Sequence, residues 1–172
     1  MEKSENYRID HESIVLGGYS CGGTLAVPLG IHFAKRNMNF RSLMYISPIF
    51  DYSGTLAKQD ELSTRWGALE GKDNETLNSR FIDFMNAQYS RNQQDLYDAR
   101  YSPIFTPFED LSLLRKNCFV YGEFDFMRRT IEVFKNKLTA AGGQNESLVL
   151  PKEGHRALIM LKAKKSVLMT GC

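Results

Sequence analysis

The residue types needed for acyl transfer are a hydroxyl nucleophile, an imidazole base and an orienting carboxylate. They occur in this chain in the order serine, acid, histidine. Ser20 is the centre of Gly18-Tyr19-Ser20-Cys21-Gly22, followed directly by Gly23. The apolar run Ser13-Ile14-Val15-Leu16 comes just before the motif, and a segment able to start a helix comes just after. A strand, a tight Gly-x-Ser-x-Gly turn and a helix is the context in which the motif means a nucleophile elbow. Small residues at both ends let the backbone turn sharply, so that the serine side chain stands clear. The N-terminal amides of the following helix then favour developing negative charge beside it.

Three histidines are present. His11 precedes the first strand and so belongs to the opposite end of the sheet from Ser20. His32 is several turns along the helix that follows the motif. His155, in Pro151-Lys152-Glu153-Gly154-His155, lies just past the C-terminal end of the fourth strand. In a parallel sheet that is the edge Ser20 occupies, so His155 is the expected base. Three acids remain open by the same geometry. Asp125 and Glu123 follow the third strand, and Asp125 also stands where it could cap the next helix. Asp51 lies beyond Ser47-Pro48 after the second strand.

Short apolar runs alternate with helical patterns. Strands are expected at Ser13–Leu16, Leu43–Ile46, Cys118–Tyr121 and Leu148–Leu150. Helices are expected at Leu25–Lys35, with Pro28 in its first turns, at Thr130–Ala141, and at Ala157–Leu168. Ile131, Phe134, Leu138 and Ala141 mark the buried face of the second helix, and Gly142-Gly143 stops it. Such alternation implies an α/β protein with a mostly parallel sheet of about four strands, covered on both faces. Residues 51–100 break the pattern: no clear strand, but Tyr52, Trp66, Phe81, Phe84, Tyr89 and Tyr97. An insertion after a strand's C-terminal end lies where open α/β sheets bind ligands.

At 172 residues the chain is read as a single domain, 1–172, able to bury a core. Its 22 basic and 20 acidic residues leave a net charge of +2, too balanced to argue for nucleic acid or an anionic membrane as partner. No apolar stretch is long enough to cross a bilayer, and the polar start lacks a signal-peptide pattern. Cys21, Cys118 and Cys172 form no metal-ligand spacing. They read as reduced thiols, with a cytoplasmic location and no metal or organic cofactor.

Several motifs together resemble those of the hormone-sensitive-lipase-like α/β-hydrolases. Gly18-Tyr19-Ser20-Cys21-Gly22-Gly23 is similar to that family's elbow, and Ser47-Pro48 followed by Asp51 to its Ser-Pro segment. Tyr101-Ser102-Pro103, Phe105-Thr106-Pro107 and Leu111 resemble the stretch leading into the acid-bearing strand. Gly122-Glu123-Phe124-Asp125-Phe126-Met127-Arg128 resembles the acid motif, and Pro151–His155 the histidine motif. The resemblance runs from about Asp10 to the last helix. It implies a partial α/β-hydrolase fold that cleaves carboxylic esters, with Ser20 as nucleophile, Asp125 as acid and His155 as base. It also implies that residues 51–100 form a cap-like insertion over an acyl pocket, with Tyr19 and Trp66 binding a small-molecule ester. The backbone N–H of Cys21 would be one oxyanion donor.

The departures are Tyr19 for an acidic residue, Cys21 for alanine, and Phe126-Met127 for Pro-Leu. The family's His-Gly-Gly-Gly loop and several further strands have no counterpart, so the resemblance is to the C-terminal half. Losing one oxyanion donor costs about 10²–10³ in rate. The first strand's edge, with Ile14, Val15 and Leu16, would then need cover from an N-terminal half or a second copy. Two other readings share these residues: a catalytically impaired remnant that binds a partner through this edge, and a serine peptidase of the same fold.

Overall fold

The computed structural model describes residues 10, 13–56, 86–88, 90 and 92–155. His11, Trp66, most of the 51–100 insertion, Arg156, the expected helix at 157–168 and Cys172 lie outside the described residues. The described elements are β1 (Val15–Tyr19), α1 (Cys21–Ala34), β2 (Ser42–Ile46), the single turn α2 (Phe108–Leu111), β3 (Lys116–Gly122), α3 (Arg128–Ala140) and β4 (Gln144–Leu150). Short 3₁₀ turns at Gln93–Tyr97 and Pro103–Phe105 lead into α2.

The four strands form one sheet in the order β1-β2-β3-β4, and every neighbouring pair is parallel. β3 is buried along all but its first residue, as its apolar run predicts for a central strand covered on both faces. β4 is four residues longer than the apolar pattern predicts. Its polar first half, Gln144–Ser147, pairs with Lys116–Phe119. On the described sheet it is an edge strand, where polar side chains reach solvent. β1 lies two or three residues later than predicted, because Gly17, which falls in no expected element, and Gly18, read as part of the turn, both belong to the strand. A Cβ on Gly17 would sit 2.9 Å from the Met44 backbone and side chain, so close packing rather than propensity decides that position. β1 is the other edge; Val15 is 42% exposed and Ile14 37%, while Leu16 packs on the core.

α1 starts at Cys21, four residues before its apolar pattern does, which puts Pro28 in mid-helix rather than in the first turns. α3 buries Ile131, Phe134 and Leu138 as their spacing predicts. It ends in a Schellman arrangement: Gly143 N–H donates to Leu138 O at 2.9 Å and Gly142 N–H to Thr139 O at 3.0 Å. Gly142 takes the left-handed φ of 91° that this requires.

Between α3 and the sheet lies an aromatic cluster. The Phe50 and Phe134 rings are 4.1 Å apart, and Tyr45 and Phe119 4.9 Å. Burial pushes the Tyr45 phenol far above its usual range. Its hydroxyl stays satisfied, donating to Asn117 Oδ1 at 3.1 Å, while Asn117 Nδ2 donates to Leu114 O at 2.9 Å. Cys118 is buried on β3. No helix among the described residues is long and apolar enough to cross a membrane.

Candidate active site

All four strands end at one edge, and the loops leaving that edge carry the site. β1 passes straight into α1 through Ser20. Its φ of 52° and ψ of −118° are a strained conformation for a residue with a Cβ. The strain is held from two sides. Ser20 N–H donates to Ile46 O at 2.8 Å, and Thr24 N–H donates to Ser20 O at 3.2 Å. A Cβ on Gly18 would lie 2.3 Å from Gly22 C, so only glycine lets strand and helix approach this closely. Thr24 Oγ1 donates to Ile49 O at 2.6 Å and pins the first turn of α1 to the loop after β2.

The serine side chain meets His155. Ser20 Oγ is 3.1 Å from His155 Nε2. On the other side of the ring, His155 Nδ1 is 3.0 Å from Asp125 Oδ1. A carboxylate only accepts, so Nδ1–H donates to it and leaves Nε2 as acceptor for the Ser20 hydroxyl. Both partners are withdrawn from water, the Asp125 side chain at 0% exposure and that of His155 at 6%. Asp125 Oδ1 also accepts from Met127 N–H at 2.9 Å at the entry to α3, so one carboxylate oxygen meets both the imidazole and the helix entry. Its Oδ2 is buried with no hydrogen-bond partner among the described residues.

Two of the three candidate acids are occupied elsewhere. Asp51 is buried and turned into its own loop, accepting from Ser53 Oγ at 2.5 Å and from Leu56 N–H at 2.9 Å. Glu123 Oε2 accepts from Lys152 N–H at 2.9 Å, tying the acid's loop to the histidine's loop. Phe124 N–H donates to Glu153 O at 2.8 Å and adds a second tie. His32 sits towards the far end of α1, with Nδ1 3.1 Å from the Arg36 guanidinium.

Cys21 opens α1 as an exposed free thiol. The N–H groups of Cys21, Gly22 and Gly23 precede the first intrahelical bond and have no acceptor within the helix. Two contacts were not legible in the chain. The Tyr19 hydroxyl donates to the His155 carbonyl at 3.0 Å, and the Phe126 ring stands 4.8 Å from the imidazole. Adjacency to the motifs was the only available signal for either residue.

A parallel sheet with a serine on a strained strand-to-helix turn, and an acid and a histidine on the loops of the last two strands, defines an α/β-hydrolase architecture. The chain belongs to that family: the model for the α/β-hydrolase fold, in its hormone-sensitive-lipase-like branch, matches residues 1–159. No curated protein matches it in sequence. Among solved structures it is similar to a carboxyl esterase of the mycorrhizal fungus Tuber melanosporum, at 22% identity and TM-score 0.73, covering 90% of this chain and 48% of that one. A thermostable carboxylesterase cloned from a metagenomic library gives 21% identity and TM-score 0.75, with 90% and 50% covered. The esterase of the archaeon Pyrobaculum calidifontis gives 22% and 0.74, with 90% and 49% covered. At these identities the likeness is one of fold. The chain spans about half the length of each.

Proposed function

We propose that the chain carries the nucleophile, acid and base of a serine hydrolase acting on carboxylic esters. The observation that carries this reading is the run of contacts from Ser20 Oγ through the His155 ring to Asp125, at 3.1 Å and 3.0 Å. Both are within proton-transfer reach. Ser20 Oγ attacks the ester carbonyl while His155 Nε2 takes its proton. Asp125 holds the other ring nitrogen and stabilises the imidazolium. The carbonyl oxygen becomes an oxyanion beside the Cys21 N–H at the start of α1. Collapse of this intermediate passes the proton from His155 to the departing alcohol and leaves an acyl-Ser20 ester. Water, deprotonated by His155, then releases the acid and restores the serine.

The esterases of similar fold support the ester as substrate class. The cap over the acyl pocket (residues 51–100), the Tyr19 ring and Trp66 as substrate contacts, and a partner over the β1 edge belong to the same proposal. A fluorophosphonate probe tests it, because the probe bonds only to a serine activated in this way. Stoichiometric labelling of the folded chain, lost in Ser20→Ala, is the expected result. Absence of labelling in folded protein across pH 6–9 sinks the proposal and leaves the chain as a binding module.

A further inference from the structure

Tyr19 is the last residue of β1 and the immediate neighbour of Ser20. Besides its hydrogen bond to the His155 carbonyl at 3.0 Å, its ring centroid lies 5.8 Å from that of the imidazole, tilted by 45°. We propose that Tyr19 is a positioning residue that sets the gap between Ser20 and His155. The inference rests on the hydrolase reading above and assigns the Tyr19 hydroxyl to the base's loop rather than to substrate.

The reason lies in what else holds His155. The ties Lys152 N–H to Glu123 Oε2 and Phe124 N–H to Glu153 O join the histidine's loop to the acid's loop. His155 Nδ1 is bonded to Asp125, on that same loop. These contacts fix the base relative to the acid and leave its distance from the serine undetermined. Gly154 stands between the last tied residue and His155, where the backbone swings most freely. The Tyr19 hydroxyl runs the other way, from the serine's own strand to the peptide unit of the base, across 136 positions of sequence. It is therefore a direct brace between nucleophile and base, additional to their 3.1 Å contact. Misplacing a reacting group by about 1 Å can cost on the order of 10²-fold in rate.

The test uses the whole chain and two variants. Tyr19→Phe keeps the ring and removes the hydroxyl; Tyr19→Leu removes both. Inactivation by a fluorophosphonate is followed to separate the bond-forming rate constant from the concentration giving half-maximal rate. The ¹⁵N shifts of the His155 imidazole report its tautomer without any turnover. For Tyr19→Phe the bond-forming rate constant is expected to fall about tenfold, the loss of one neutral hydrogen bond. The half-maximal concentration should stay unchanged. The Nε2 shift should move towards that of an acceptor without a hydrogen bond while Nδ1 stays protonated on Asp125, and further in Tyr19→Leu. Wild-type kinetics with unmoved shifts in Tyr19→Phe overturns the inference. So does a loss confined to the half-maximal concentration, which marks a substrate contact. If the wild-type chain is not labelled at all, the hydrolase reading falls by itself. The shifts then decide alone: movement upholds the brace and constancy overturns it.

Discussion

Gly122→Ala tests how His155 is held. Gly122 ends β3, three residues before Asp125, and the loop leading to His155 passes directly over it. A Cβ built there lies 2.1 Å from Glu153 O and 2.6 Å from Gly154 O, while real Cβ contacts essentially never fall below 3.0 Å. Both atoms are backbone, so no side-chain rotation relieves the clash, and the segment before His155 has to retreat by about an ångström. Gly122 has no positive φ, so alanine suits its own backbone and the effect falls on the loop. A retreat of that size carries the 3.1 Å contact between Ser20 Oγ and His155 Nε2 out of hydrogen-bond range. The expected loss in fluorophosphonate labelling rate is on the order of 10²-fold. Thermal unfolding followed by circular dichroism separates this from global loss of structure. A Gly122→Ala protein that folds and labels at the wild-type rate refutes the reasoning, since the loop would then tolerate displacement.

Ser20→Gly removes the proposed nucleophile and also the cost of φ 52°, so labelling should vanish while stability rises by about 1 kcal/mol, read as a midpoint shift of a few degrees. An unchanged or lower midpoint argues against stored strain. Asp125→Asn keeps the shape but removes the charge and the obligate acceptor for His155 Nδ1–H, so the labelling rate should fall on the order of 10⁴-fold with the fold retained. A loss below about tenfold would assign Asp125 to the entry of α3 alone. Thr24→Val leaves the Ile49 carbonyl without its 2.6 Å donor and should cost about 1–3 kcal/mol in urea unfolding. Phe50→Ala opens the aromatic cluster where its ring meets Phe134 at 4.1 Å and should cost about 3–5 kcal/mol.

Burial made parts of the fold legible in the chain, and close backbone approach hid others. Cys118–Tyr121 reads as a strand because a central strand is apolar on both faces, and Ile131, Phe134 and Leu138 mark α3 because one helix face meets the core. Gly18 reads as part of the turn and Gly17 falls in no expected element, yet both are strand residues where a Cβ would meet Gly22 and Met44. Cys21–Thr24 carries no helical periodicity because the sharp turn at Ser20, not an apolar stripe, sets where α1 begins. The site divides in the same way. Ser20 and His155 were legible together, since a parallel sheet brings loops after successive strands to one edge. Edge geometry left the acid open, because Asp51, Glu123 and Asp125 share that edge and differ in where their carboxylates point; the motif resemblance alone picked Asp125. Only the coordinates show Asp51 bonded into its own turn and Glu123 bonded to Lys152. Nor could any spacing rule find the Tyr19–His155 contact, which depends on the reach of one side chain between loops far apart in sequence.

The alignment of the site follows from how the strands hand over to their loops. Ser20 N–H donates to Ile46 O at 2.8 Å, Ser47 N–H to Val120 O at 2.7 Å, and Glu123 N–H to Leu150 O at 2.8 Å. In each case the first residue past one strand donates to a late residue of the next. The parallel ladder therefore continues one step beyond the strands, from the serine's turn through both inner strands to the end of β4. Ser20 and Ser47 each adopt a positive φ at this step, 52° and 44°. A non-glycine residue takes such an angle only where its surroundings over-determine it. The ladder supplies one such constraint, because each donor must face the carbonyl beside it while the chain leaves in a new direction. Ser20 is thus set in line with β2, β2 with β3, and β3 with the exit to His155. The strain at Ser20 and the point at which the chain leaves β4 for His155 belong to one hydrogen-bonded row. A proline at position 47, which removes the middle donor and forbids the positive φ, should disturb Ser20 and His155 together although it touches neither. Labelling and the His155 ¹⁵N shifts measured on Ser47→Pro check this, and a variant that folds with both unchanged breaks the linkage.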